Sequence, residues 1–244
     1  MLFRFMFLRA TLCLFFLTSG TLLAQSSQTN LVATQATTGS GSDNTLVGVG
    51  AGNTNMSGSA NLMIGRAAGT LNMAGTKNVF LGAYAGNQNA DGLENAFVGH
   101  GAGFSNTSGS FNTFFGSGSG YSNSTGTNNL FSGYRTGYFN TTGAYNAFLG
   151  TGAGYRNTTG SDNTFVGSDA GAYNLAGASN VFIGSLAGSA NTSGLANTFL
   201  GARAGFANTT GYSNVALGIR SAFLNQTGDN NVMLGDSAGY SNLT

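Results

Sequence analysis

The sequence predicts an all-β protein, a parallel β-solenoid of twelve 17-residue coils. Three observations carry that expectation. From Gly41 to Thr244 the chain divides into twelve units of 17 residues without an insertion or deletion. Each unit holds one mainly apolar segment of three residues flanked by asparagine and glycine, too short for a helix and readable as a short strand closed by turns. Glycine and asparagine also recur at fixed places in every unit. A fixed period near twenty with one strand per unit marks coils that bury their apolar side chains only by stacking on neighbours.

Composition agrees with stacked coils. The 244 residues include 41 glycines and no proline, and 6% are charged, against about 7% glycine and about 25% charged residues in ordinary soluble domains. A flexible linker would be rich in glycine, but not 41% hydrophobic with 19 phenylalanines. So many apolar side chains also argue against disorder.

Taken in chain order, residues 1–24 read as a signal peptide. Arg4 and Arg9 lie in or beside an apolar run through Leu12, Leu14, Phe15, Phe16 and Leu17, then come Thr18, Ser19 and Gly20, with a cleavage position after Ala24. An uncleaved membrane anchor is the alternative, for which the run is short, since a span takes about 20 residues. No later segment reads as a membrane-spanning helix, so the mature chain is expected to have no membrane span. Cys13 is the only cysteine and would leave with the signal, which removes disulfide and thiol chemistry. Residues 25–40 form a lead-in segment. Without Arg4 and Arg9 the chain has six basic and seven acidic residues, so no basic face is available for nucleic acid.

Residues 41–244 are the twelve coils. Numbering each unit from its first glycine, position 1 is glycine throughout, from Gly41 to Gly228, position 8 is always glycine, and position 12 is glycine except at Ala222. Glycine suits corners that need positive φ or close backbone approach. Position 6 is phenylalanine in eight consecutive units, Phe80 to Phe199, and position 11 is always small. Seventeen residues give at most about 56 Å of path, one turn of a narrow tube, and twelve coils would stack to a rod roughly 57 Å long. Position 4 is asparagine in every unit: Asn44, Asn61, Asn78, Asn95, Asn112, Asn129, Asn146, Asn163, Asn180, Asn197, Asn214 and Asn231. Position 15 is also always asparagine, from Asn55 to Asn242. Because a stacked coil places each residue above its own equivalent, these amides are expected to form structural ladders from coil to coil. Charge avoids positions 4 to 8, 11, 12, 15 and 16, which confines it to corners that face water.

The strand itself is apolar on both faces in most units, as in "NVFLG" from Asn78 to Gly82. Alternate residues of a strand point to opposite sides, and a thin coil has one interior. The outer apolar face therefore predicts a homo-oligomer in which another copy covers it.

The units "NTFVG" (Asn163 to Gly167), "NVFIG" (Asn180 to Gly184) and "NTFLGARAG" (Asn197 to Gly205) resemble the head repeats of trimeric autotransporter adhesins, with their Asn-Ser-Val-Ala-Ile-Gly type motif. They are closer still to the "NTFLGYQAGYNNTTG"-like glycine-asparagine arrays of bacterial surface and phage-fibre-like proteins. The resemblance covers all twelve units. It implies a left-handed parallel β-roll, assembled as a trimer with its strands facing the three-fold axis, in a bacterial protein that is secreted or displayed at the cell surface. The unit here is longer than is usual in those heads, and the additional residues are expected to enlarge one corner.

Residue chemistry points away from catalysis. His100 is the only histidine and falls at a corner position, and the seven acids are scattered apart from Asp91 and Glu94, so neither a metal site nor a carboxylate pair is indicated. Gly-x-Gly runs such as "GVGAG" from Gly48 to Gly52 lack the following helix of a phosphate loop. No catalytic, cofactor-binding or metal-binding residue is expected, and no cofactor. The chain reads as a non-enzymatic structural rod, an adhesin head, fibre segment or spacer. Its possible partners are a host or matrix surface ligand or a glycan, and position 13 offers a stripe for one: Phe104, Tyr121, Tyr138, Tyr155, Phe206, Phe223 and Tyr240. Packing against the neighbouring corner is the competing reading of that stripe. An ice-binding solenoid is the alternative function, from the Ser and Thr columns at positions 16 and 17. Those columns are adjacent rather than two residues apart, and Met73 and Leu175 interrupt them.

Overall fold

A computed structural model describes residues 39–242. The predicted signal peptide (residues 1–24), the lead-in as far as residue 38, and residues 243–244 lie outside the described residues. Twelve three-residue strands, from β1 (Thr45–Val47) to β12 (Val232–Leu234), form one parallel sheet in sequence order. The register shifts by one unit at each step, so Phe80 lies opposite Phe97 and Phe97 opposite Phe114. The fold is therefore an all-β parallel solenoid of 17-residue coils.

The strand alternation decides the core. Position 6 points inward, and all eight phenylalanines from Phe80 to Phe199 are fully buried. Their rings stack along the axis at 4.6–5.1 Å, nearly parallel. Burying one such side chain is worth about 1.5–3 kcal/mol. The facing wall is position 11, where Ala85, Ala102, Ala153 and their equivalents are also fully buried. Where that wall carries a hydroxyl, the hydroxyl finds a carbonyl: Ser119 Oγ donates to Phe131 O at 3.1 Å, and Thr136 Oγ1 to Gly150 O at 2.6 Å.

Position 12 explains why that corner is glycine. At Gly188, φ is +56°, and a Cβ would stand 2.5 Å from ring carbons of Phe182 in the same coil. The exception shows the rule from the other side: coil 11 has Ala222 at position 12, with φ +54°, and Ala216 in place of the phenylalanine. Where the ring is absent, the methyl group is admitted.

Position 3 corrects the sequence reading of the corners. It is never glycine, yet φ there is +53° to +60° in all twelve coils, at residues as large as Phe111 and Tyr145. The left-handed region costs an L-residue about 1–2 kcal/mol. Among the described residues, none of the 21 non-glycine residues in that region is β-branched, because a branched Cβ makes the clash worse. The corner is held by coil-to-coil bonds, such as Lys77 N–H to Ser59 O at 3.0 Å and Tyr145 N–H to Thr127 O at 3.0 Å.

Such bonds continue beyond the strands. Position 10 donates to the preceding coil, as Tyr84 N–H does to Arg66 O at 2.8 Å, while positions 12 and 14 donate to the following one, as Gly86 N–H to Ala102 O and Gln88 N–H to Phe104 O, both at 2.9 Å. Backbone groups that would otherwise be buried without partners are satisfied around the whole turn.

Candidate functional site

Two asparagine columns line the interior, and amides of both bond from coil to coil, as Asn146 Nδ2 does at position 4 to Asn129 Oδ1 at 3.2 Å. At position 4 the side-chain oxygen accepts the backbone N–H of the asparagine one coil on, as Asn163 N–H donates to Asn146 Oδ1 at 3.1 Å. The amide nitrogen donates to the position 1 glycine of the next coil, as Asn146 Nδ2 does to Gly160 O at 2.8 Å. At position 15 the amides also bond to one another, Asn140 Nδ2 to Asn123 Oδ1, Asn157 Nδ2 to Asn140 Oδ1 and Asn174 Nδ2 to Asn157 Oδ1, each at 2.7 Å, and Asn157 Nδ2 reaches the same Gly160 O at 2.9 Å. Coil 1 departs from the position 15 column. Asn55 is exposed, Met56 is buried in its stead, and Asn72 Nδ2 lies 3.0 Å from the Met56 sulfur. At the other end, Asn225 Oδ1 is buried without a hydrogen-bond partner.

The strands turn positions 5 and 7 outward. Ile64, Leu149, Ile183 and Leu217 are exposed on this face, Leu200 by 41% and Phe115 by 60%. The result is an apolar sheet face along the rod.

The aromatic stripe at position 13 resolves into two ring stacks. Phe104, Tyr121 and Tyr138 lie 4.9–5.0 Å apart with planes within 5°, and Phe206, Phe223 and Tyr240 lie 4.9–5.1 Å apart within 10°. Ring faces within each stack are covered by neighbouring rings, so the edges are what the stripe presents. Tyr155 ends the first stack, 5.6 Å from Tyr138 and tilted by 28°. Burial pushes the Tyr138 phenol above the ordinary value of 10.0; the Tyr121 hydroxyl adds to this and the Arg135 guanidinium opposes it.

Several surface residues near this stack were not singled out by the sequence. Arg135 lies over the rings of Tyr134 and Tyr138, at 5.1 and 5.6 Å, and Arg156 lies over Tyr173 at 5.0 Å. Phe139 stands edge-on to Tyr138 and Tyr155. An open groove of about 400 Å³ runs past Phe139, Thr141, Arg156, Thr158 and Leu175. The available signal was a departure from the column consensus, which becomes meaningful once the residues above and below are known. His100 is exposed and meets Tyr84 edge-on at 5.9 Å.

The hydroxyls of position 16 are engaged by the backbone. Thr107, Ser124, Thr141, Thr158, Thr192 and Thr209 each donate to a carbonyl of the next coil, at 2.7–3.0 Å. Among the described residues, no three His, Cys, Asp or Glu side chains gather as metal ligands, and no helix is long and apolar enough to cross a membrane. No protein-family model, curated protein or solved structure matches the chain.

Proposed function

We propose that the chain is a non-enzymatic rod, secreted or displayed at the cell surface, that serves as adhesin head, fibre segment or spacer and works as a homotrimer. The observation that carries this reading is the division of labour within each coil. Buried amides are spent on holding coils together, and variable residues are confined to the outside. Such a scaffold gives length and a repeated surface with little dependence on any one side chain.

The trimer rests on the outer strand face. Twelve strands at about 4.8 Å spacing and about 10 Å of strand width give roughly 570 Å² of projected area per rod. That is of the order of the about 800 Å² of accessible surface per partner in stable interfaces. Light scattering of the purified chain tests the assembly, with three chain masses expected and a stable monomer overturning it. Protease shaving of intact producing cells tests the display, and a rod protected until lysis, with none in the medium, would defeat it. The alternative, an ice-binding Thr face, is not adopted, because the position 16 hydroxyls already donate to backbone carbonyls.

A further inference from the structure

Between coils 6 and 8 three columns of the solenoid change character at one height. Position 10 runs Arg135, Gly152, Asp169, so a residue without a side chain stands between opposite charges. Position 13 runs Tyr138, Tyr155, Ala172, so no ring follows Tyr155. Position 9 supplies Tyr134 and Thr151. Together Tyr134, Arg135, Thr151, Gly152, Tyr155 and Asp169 line a notch of about 190 Å³.

The notch is built on pinned backbone. Gly152 N–H donates to Tyr134 O at 3.0 Å, and Asp169 N–H to Thr151 O at 2.9 Å. Arg135 and Asp169 lie two coils apart, about 10 Å along the axis, and the salt bridge among the described residues is instead Lys77–Glu94. The Asp169 carboxylate leans over Gly152, into the space that a side chain there would fill. It accepts the Ser168 hydroxyl at 3.2 Å through one oxygen. An acceptor and a cation therefore face one small space, with an aromatic ring on its wall.

We propose that this notch binds one neutral hexopyranose unit, as the terminal residue of a glycan. A sugar ring is amphipathic in the way the notch is. Its apolar C–H face fits against Tyr155, two hydroxyls can donate to Asp169, and a third oxygen can accept from Arg135. The charges of Arg135 and Asp169 cancel, which favours an uncharged ligand. The volume falls below the roughly 300–1,000 Å³ of sites that enclose a drug-sized molecule, so one ring enters rather than a chain. The other glycine positions of this column lack the carboxylate: Gly50 is followed by Ala67, Gly101 by Gly118, and Gly118 by Arg135. This inference deepens the surface-rod reading by naming a ligand class and takes its biological context from it. Sugar binding by the purified chain is nevertheless measured independently of display or assembly.

The test is saturation-transfer NMR on the purified chain, with methyl β-D-galactopyranoside, methyl α-D-glucopyranoside and methyl α-D-mannopyranoside as probes. At least one should bind with a dissociation constant on the order of 1 mM, and saturation should be strongest on the C–H protons of one ring face. Asp169→Asn should weaken binding about tenfold, through loss of a charge-assisted acceptor. Gly152→Ala should abolish it by pushing the Asp169 carboxylate out of its place over the corner, and Gly101→Ala should leave it unchanged. Alanine already occupies this column at Ala67 with φ +54°, so the fold should accept both changes, and circular dichroism checks that it does. The proposal is overturned if none of the three pyranosides receives saturation, or if binding survives Gly152→Ala in the folded variant.

Discussion

Coil 11 suggests an experiment on how the core is specified. Replace Phe182 and Gly188 of coil 9 by alanine, singly and together, which copies the Ala216 and Ala222 pair. Phe182 is fully buried, with Phe165 at 4.8 Å on one side and Phe199 at 5.0 Å on the other. Its loss should cost about 3–5 kcal/mol. Gly188→Ala places a methyl group 2.5 Å from the Phe182 ring at φ +56°. Left-handed strain of about 1–2 kcal/mol and overpacking of about 1–3 kcal/mol together make about 2–5 kcal/mol. In the double variant the new methyl occupies space vacated by the ring, so the overpacking vanishes and the cavity shrinks. Its cost should fall below the sum of the single costs by about 1–3 kcal/mol. The chain has no tryptophan, so urea unfolding is best followed by far-UV circular dichroism, with free energies taken from midpoint and slope. Single costs that add to within about 0.5 kcal/mol would refute the claim that ring and glycine are chosen together.

Further outcomes follow from the same geometry. The reciprocal pair, Ala216→Phe with Ala222→Gly, should raise the unfolding midpoint, whereas Ala216→Phe alone should not, because the Ala222 methyl stands where the ring must go; equal midpoints for the two would contradict this. Asn146→Asp should destabilise the rod by about 1–3 kcal/mol at neutral pH, since a carboxylate then faces the Gly160 carbonyl. That loss should shrink in acid, where a protonated carboxyl can donate to the same oxygen, and melting curves at two pH values measure both effects. Tyr138 keeps its proton to higher pH in the folded chain than in the unfolded one. Its contribution is therefore intact below pH 10 and lost as pH rises through the folded value; Tyr138→Phe should flatten the alkaline decline in melting temperature. Leu200→Lys on the outer strand face should lower the mass seen by light scattering while the far-UV spectrum stays unchanged, and an unaltered oligomer would place the interface elsewhere.

The period, the strand and its two opposed faces were legible in the sequence because each depends on an environment that every coil repeats, whereas the inward direction of position 6 came from the structure. Seventeen-residue spacing and a small residue at position 11 describe every one of the twelve coils, and phenylalanine at position 6 describes eight in succession. That positions 5 and 7 share one face, opposite to position 6, was readable for the same reason, since strand alternation follows from local order alone. Position 3 was not readable. Residues such as Lys77, Glu94 and Phe111 give no local sign of positive φ, and the neighbouring coil's carbonyl is what holds them there.

The sequence by itself also determined that two asparagines per coil would face their own copies. Only the tertiary structure decided that both columns bond amide to amide while the position 4 oxygen alone also takes the backbone N–H of the next asparagine, and that Met56 replaces Asn55 in the first coil. The aromatic stripe shows the same division. Its spacing was plain, but whether its rings offer faces or edges depended on how far the coils twist and approach, and the close stacking covers the faces. The notch at Gly152 lay furthest from view. Arg135 and Asp169 are separated in the chain by two full coils, and they face one space only because Gly152, without a side chain, lets the Asp169 carboxylate lean over it. A repeat states its rule locally, whereas the meaning of a departure from it depends on the coils above and below.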